Sequence, residues 1–338
     1  MSGLKAGFRV VCATLLMSSV AGGSALLAQT AEAPFDRDNV PTTWEHPPYV
    51  SAEAQYMARY TAAGSDSDEA SLPNWSGLWG SARFQGYGFS LRPGETRTGA
   101  GLATETTMKL TPLYAAEYAM RVQRAAEGED FDPLSWCLPA GFPRNLSAIL
   151  PREFAPTPGV TFIINEGQNE VRRIYTDGRG HLPDEFAYPM WQGDSIGFWD
   201  GDTLVVWTKS IKGNLTGRDQ PAVSDELQVY EEWRRIADDV VRVRVTFYDP
   251  IALHEPFDFV RYYATMDTQD GLIRPAFSAC NENQNVVRSA TGGSDFGYIP
   301  GVDDTLDLSN AETWLMFDEA REAGLVAEFE AAQAAEAK

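Results

Sequence analysis

Cysteine, histidine and basic side chains are scarce in this sequence. Its 338 residues include three Cys and three His, and 27 Lys and Arg stand against 48 Asp and Glu, so the net charge is −21. The cysteines form no Cys-x-x-Cys pair, which excludes a zinc ribbon and a dithiol redox motif. Nucleic acids and anionic membrane surfaces would repel such a chain, which leaves a neutral or cationic small molecule as the expected partner.

The N-terminus has the pattern of a secretory signal peptide. Lys5 and Arg9 precede an uncharged, mostly apolar run over residues 10–27, and small residues crowd its end. The pattern predicts cleavage of residues 1–28 and export of a bacterial protein to the periplasm or the medium. An uncleaved membrane anchor is the alternative, although the run is barely long enough to span. No later stretch is long and apolar enough, so the mature chain is expected to have no integral membrane segment.

Signal cleavage changes the cysteine count. Cys12 leaves with the signal peptide, and Cys137 and Cys280 remain. Two cysteines in an oxidising compartment predict one disulfide between them. Two separate buried thiols are the alternative.

Three regions follow the signal peptide. Residues 29–72 are rich in Pro, Ala, Ser, Thr and acidic residues, which predicts an extended linker with a short helix near Ala52–Ala62. Residues 73–305 predict strands joined by tight turns, with Asp200–Gly201 between two apolar runs as a hairpin signal. Residues 306–338 predict a C-terminal amphipathic helix.

The strands have no helices between them, which predicts an antiparallel meander. Such a sheet closes into a barrel or bends into a sandwich to hide its edges. Gly77-Leu78-Trp79 resembles the first sequence motif of the lipocalins, and the resemblance implies that Trp79 closes the barrel bottom and that Arg274 stacks on it. The predicted fold class is therefore all-β, a meander closed as a lipocalin-like barrel or bent sandwich.

Three segments resemble an uncharacterised family of exported bacterial proteins. They are residues 174–181 (IYTDGRGH), 191–206 (WQGDSIGFWDGDTLVV) and 280–283 (CNEN). The likeness spans about residues 136–285. It implies export and the extent of the domain, and it carries no activity or catalytic residue.

The densest polar cluster surrounds one of the three histidines. His181 is preceded by Asp177 and Arg179 and followed by Asp184. A His beside carboxylates suits general acid–base catalysis, so His181, Asp177 and Asp184 are candidate catalytic residues and Arg179 a candidate ligand contact. One His with carboxylates is a poor zinc site and a tolerable calcium or manganese site, and no metal is predicted. The alternative is an ordinary polar loop.

Glu282 and Ser195 are two further candidates. A bond between Cys137 and Cys280 would bring Glu282 near the Cys137 loop, where a buried carboxyl could act as acid or base. Residues 193–197 (GDSIG) match Gly-x-Ser-x-Gly, but a hairpin follows Ser195 where a nucleophile elbow needs a helix. Ser195 is therefore a candidate for ligand contact on a strand flanked by small residues.

Two arginines and two tryptophans complete the candidate ligand contacts. Arg242 and Arg244 share one strand face, which is either the solvated face or the barrel interior, where they would clamp a carboxylate. Trp191 and Trp199 belong to an abundant set of aromatic residues. An excess of such rings over the needs of the core suits an aromatic, terpenoid or sugar ligand.

These observations support three hypotheses about function. The first is an exported bacterial β-barrel protein that binds a small, partly apolar or aromatic molecule in a deep aromatic pocket, without a cofactor. The alternative is a secreted acid–base enzyme, a hydrolase, lyase or isomerase, that uses His181 with nearby carboxylates. The third is a structural envelope protein without a pocket.

Overall fold

The computed structural model describes most of the chain between residues 35 and 266. The described residues are 35–37, 40–41, 43–63, 72–82, 108–127, 129, 131–148, 150–217, 220–266 and 275, with the backbone of 286–288 and 294–296 and the positions of 324 and 327. All belong to the unit Phe35–Lys338. The predicted signal peptide, Cys280, Glu282, Arg274 and nearly all of the predicted C-terminal helix lie outside the described residues.

Nine strands close into a barrel. Their order around the barrel follows the chain, and β1 pairs with both β2 and β9, so no strand edge stays open. A separate two-stranded sheet joins β10 and β11. The strands are β1 Leu78–Ser81, β2 Arg152–Thr157, β3 Val160–Asn165, β4 Val171–Tyr175, β5 Asp194–Asp200, β6 Thr203–Lys209, β7 Gln228–Ala237, β8 Val240–Tyr248, β9 Phe257–Thr265, β10 Val286–Arg288 and β11 Ser294–Phe296. The predicted all-β barrel is confirmed.

One strand pair corrects the predicted meander. β4 and β5 run parallel, with Ile174 opposite Ser195, whereas every other neighbouring pair of the barrel is antiparallel. A parallel pair needs a connection that returns to the starting end, and residues 176–193 supply it. The sequence predicts antiparallel neighbours on either side of this stretch, whether it holds the candidate catalytic cluster or an ordinary polar loop, so the shared direction of β4 and β5 is not predicted.

The residues before the barrel pack on its outer face. Helix α1, Ala52–Ala63, buries Ala52 and Tyr56 against a cluster that includes Phe198 of β5 and Tyr230 of β7. The expected short helix is therefore present, and it lies against the barrel rather than in a free linker. A second helix, α2 (Pro112–Ala126), begins with Pro at its first turn, which suits a helix start.

Large aromatic side chains fill the lower end of the barrel, the end at which Trp79 lies. Trp79 and Trp233 are fully buried, and Phe154 makes edge contacts with both rings. Trp79 is part of this closure, as the Gly-x-Trp motif led us to expect. Arg235 places its guanidinium 5.7 Å from the Trp79 ring, while the expected stacking of Arg274 lies outside the described residues. At this end the interior is a packed core.

A buried ion pair occupies the upper half of the interior. Arg172 of β4 donates to both carboxylate oxygens of Glu231 of β7, with Nη1 3.0 Å from Oε1. Arg172 also donates to Ser195 Oγ at 3.3 Å and to Thr208 Oγ1 at 2.8 Å. The ring of Phe142 covers the guanidinium at 3.7 Å. These contacts join strands from opposite parts of the barrel.

Breaking this pair is expected to destabilise the fold strongly. Arg172→Met leaves the Glu231 carboxylate buried without its partner, and we expect a loss of about 3 to 5 kcal/mol in the free energy of unfolding. The double variant Arg172→Met with Glu231→Leu should recover most of the loss because it removes the unpaired charge. Urea denaturation measures both. Arg173→Met, on the exposed face of the same strand, is the control and should change stability by less than about 0.5 kcal/mol.

Candidate functional site at the barrel mouth

His181 makes its main contact with a carboxylate that the sequence analysis did not assign to it. Nδ1 of His181 lies 2.9 Å from Oδ2 of Asp194, which also accepts from the backbone N–H of Leu182 at 2.8 Å. The imidazole stands edge-on to the Trp207 ring, and its Nε2 is buried with no hydrogen-bond partner among the described residues. The dyad therefore pins the β4–β5 connection to the outer face of the barrel.

Asp177 and Asp184 do not join this dyad. Asp177 is exposed and forms several hydrogen bonds with Arg179, which hold the pKa of Asp177 below its usual value. Arg179 also lies over the Tyr175 ring at 4.1 Å. Asp184 is almost fully exposed, 3.6 Å from Lys209. The predicted catalytic cluster thus separates into a buried dyad and two surface ion pairs. The acid–base enzyme stays a prediction.

Ser195 is a structural residue of the barrel interior. Its hydroxyl lies 2.9 Å from Thr208 Oγ1 and accepts from the Arg172 guanidinium. The flanking glycines have packing reasons, because a Cβ on Gly197 would stand 2.7 Å from the carbonyl oxygen of Val205 and one on Gly193 would stand 2.7 Å from the Thr208 methyl. The Gly-x-Ser-x-Gly match therefore reflects close strand packing.

The remaining ligand candidates lie in the core, on the outer face and beside the mouth. Trp199 is buried against Trp75 at 5.1 Å between ring centroids. Arg242 and Arg244 point outward, because the inward positions of β8 are the apolar ones between them. Arg244 lies beside Glu232 and over the Trp44 ring. The hypothesis that these two arginines clamp a ligand inside the barrel is wrong, since strand alternation sends them to the other face.

Residues 140–148, here called the cap, cover the barrel mouth, the end opposite Trp79. Glu170 holds the cap from below, since its carboxylate accepts from the backbone N–H of Gly141 at 3.1 Å and from Gln192 Nε2 at 2.6 Å. Burial raises the pKa of Glu170, and these hydrogen bonds oppose the rise. The backbone carbonyl of Trp191 accepts from Phe142 N at 2.6 Å. Trp191 is therefore a cap support.

A recess opens between the cap and the upper ends of β8 and β9. Three phenylalanines stack edge-on or tilted along one wall, with centroids 5.0 to 6.2 Å apart. Ser147 Oγ donates to the Thr216 carbonyl at 3.0 Å and so ties the cap to the β6–β7 connection. The space between the walls, counted out to the open side, is about 250 Å³. The lining residues are Pro143, Leu146, Ser147, Thr216, Gln220, Phe247, Phe257, Phe259 and Arg261.

Comparison with known proteins adds little to this geometry. No protein-family model matches the chain, and a search of curated proteins finds no match. Among solved structures, a secretary abundant heat soluble protein from Ramazzottius varieornatus aligns with 57% of this chain and 95% of its own, at 10% identity and a TM-score of 0.24. Likeness at that level carries no argument about function. Within the described residues, no helix is long and apolar enough to cross a membrane.

The recess leaves one signal in the sequence that points to Arg261. In β9, Phe257, Phe259, Arg261 and Tyr263 occupy alternate positions, so a strand period of two places an arginine on an otherwise aromatic inward face. A basic residue at such a position is unusual because burying its charge is costly. The pattern distinguishes Arg261 from arginines on solvated faces.

The His181–Asp194 dyad predicts how stability depends on acid. Burial alone raises the pKa of Asp194, but hydrogen bonds from His181 and Leu182 and the charge of Lys209 outweigh it and lower the pKa. A carboxyl whose pKa is lower in the folded state stabilises the fold above its unfolded-state pKa, and that contribution disappears as the pH falls through the folded-state value. Part of the stability should therefore be lost below about pH 4.

Asp194→Asn tests this assignment. The variant should be less stable than the parent at pH 7 by about 1 kcal/mol and should lose less stability between pH 5 and 3. Urea unfolding at each pH gives both numbers. Asp184→Asn, on the exposed side chain nearby, is the matched control. If Asp194→Asn loses as much stability between pH 5 and 3 as the parent does, the dyad does not contribute to the acid dependence of stability.

Proposed function

We propose that this protein is a binding barrel that holds a small, partly apolar molecule in the recess at its mouth. The observation that carries the proposal is the wall of Phe247, Phe257 and Phe259, which faces the cap across a recess whose polar groups come from Ser147, Thr216, Gln220 and Arg261. Ligand sites are typically concave and lined mainly by apolar and aromatic side chains, with a few polar groups that fix orientation. The recess has that composition.

Because side chains fill the barrel interior, a ligand has to bind near the mouth and has to be small. A barrel of about eight strands has room for either its own side chains or one small ligand, and here aromatic rings and the Arg172–Glu231 pair occupy the interior. Among the described residues the candidate site is therefore shallow and open rather than deep and central. Its space of about 250 Å³ includes the solvent on the open side, so we expect a small molecule that sits partly outside the recess.

A neutral single-ring probe tests the recess. Benzamide should bind saturably in an NMR titration, and Phe257→Ala should weaken the binding about tenfold because it removes part of the aromatic wall. Phe186→Ala is the control, since this exposed phenylalanine lies in the β4–β5 connection and does not line the recess. Benzamide binding that fails to saturate, or that responds equally to the two variants, would contradict the proposal.

We also propose that the protein is exported and that its mature form is stabilised by a disulfide between Cys137 and Cys280. Cys137 is disulfide-bonded, and its partner lies outside the described residues. A bond across a chain segment this long could stabilise the fold by about 4 to 5 kcal/mol on the chain-entropy model. The bond needs an oxidising compartment, which agrees with the N-terminal sequence pattern.

Intact-mass analysis of the protein from a bacterial periplasm tests both parts. The mass should correspond to cleavage after residue 28, and reduction should raise it by about 2 Da. The Cys280→Ser variant should show no such rise and should unfold at lower urea. A full-length mass, or free thiols in the parent protein, would contradict export or the disulfide respectively.

A further inference from the structure

Among the described strand residues, three arginines and one glutamate point into the upper interior of the barrel. Arg172 is neutralised by Glu231, but Arg152 and Arg261 also point inward, from β2 and β9. Arg152 is 1% exposed and donates to the backbone carbonyls of Asn145 and Ala148. In the part of the chain that the structure describes, neither Arg152 nor Arg261 forms an ion pair with a carboxylate.

The two unneutralised guanidiniums influence each other. Burial lowers the pKa of Arg152 and the charge of Arg261 lowers it further, whereas Tyr263 acts in the opposite direction. Arg152 lies 4.2 Å from the centroid of the Tyr263 ring, and Arg261 lies 5.6 Å from that of Phe259. Two like charges at the mouth of a barrel repel, and an anion bound beside them would relieve the repulsion.

Arg261 is the guanidinium that a ligand can reach. Among the described residues that line the recess it is the charged one, and it is partly exposed. Within the same part of the chain its Nε has no hydrogen-bond partner, and neither has the Nε of Arg152. Buried polar groups are nearly always hydrogen-bonded, so an open donor beside a recess indicates a group that an acceptor from outside completes. A guanidinium offers two parallel N–H groups that match a carboxylate.

We infer that the ligand of the recess is a small carboxylate with an apolar ring, its acid group held by Arg261 and its ring by Phe247, Phe257 and Phe259. This inference rests on the proposed function, because it names the class of molecule that the same recess takes. It also revises the expectation of a neutral or cationic ligand. That expectation came from the overall charge of −21, whereas binding depends on the local charge at the mouth.

Benzoate and benzamide form a matched pair of probes, since they share the ring and differ in the charge of the polar group. In NMR titrations of the full mature chain at neutral pH, benzoate should bind at least about tenfold more tightly than benzamide. Acetate, which has the acid group without the ring, should bind much more weakly than benzoate. Equal affinities for benzoate and benzamide would overturn the inference while leaving the recess proposal intact, and failure of both probes to bind would overturn both.

Substitutions at Arg261 locate the effect. Arg261→Met should weaken benzoate binding about tenfold or more and change benzamide binding by less than about threefold. Arg261→Lys keeps the charge but loses the paired N–H groups, and should retain an intermediate benzoate affinity. Arg173→Met, on the exposed face of β4, is the control. Benzoate binding that is unchanged in a folded Arg261→Met variant would contradict the assignment. If Arg261→Met does not fold, Arg261→Lys and the comparison of benzoate with benzamide on the parent protein decide instead.

Discussion

The ion pair between Arg172 and Glu231 is the interaction on which the rest of the barrel interior depends. It joins β4 to β7, brings Ser195 and Thr208 into one hydrogen-bond network, and supports Phe142 of the cap from below. A buried pair of this kind is costly to break and contributes little net stability over an apolar replacement. Its structural effect is to fix the interior in one arrangement and to close the barrel beneath the cap.

The position of this pair explains why the candidate binding site lies at the mouth. Within the described residues, aromatic rings close the lower end, the ion pair occupies the upper half, and a recess opens between the cap and the ends of β8 and β9. Arg261 places a positive charge at this recess in a strongly acidic protein. Long-range repulsion would slow the approach of an anion, so its retention must come from close contacts with Arg261, where water screens the charge less than at the surface.

Sequence reasoning recovers the barrel because its signals are local. The Asp200–Gly201 turn and the alternation of β8 are set by neighbouring residues, and Trp79 lies where the short motif implies. The parallel β4–β5 pair and the partner of His181 depend on where residues 176–193 return to the barrel, which no local pattern shows. Strand alternation alone places Arg261 on an inward face, but only the structure shows that it has no carboxylate partner among the described residues.

The central claim is that the ligand site is the recess at the mouth and that the interior below it stays closed. The most direct test is to record the ¹⁵N–¹H signals of the arginine Nε–H groups while benzoate is added. The account predicts a saturable shift of the Arg261 signal, a smaller shift for Arg152, and none for Arg172, which is engaged with Glu231. A shift centred on Arg172, or one confined to Arg242 and Arg244 on the outer face, would contradict it.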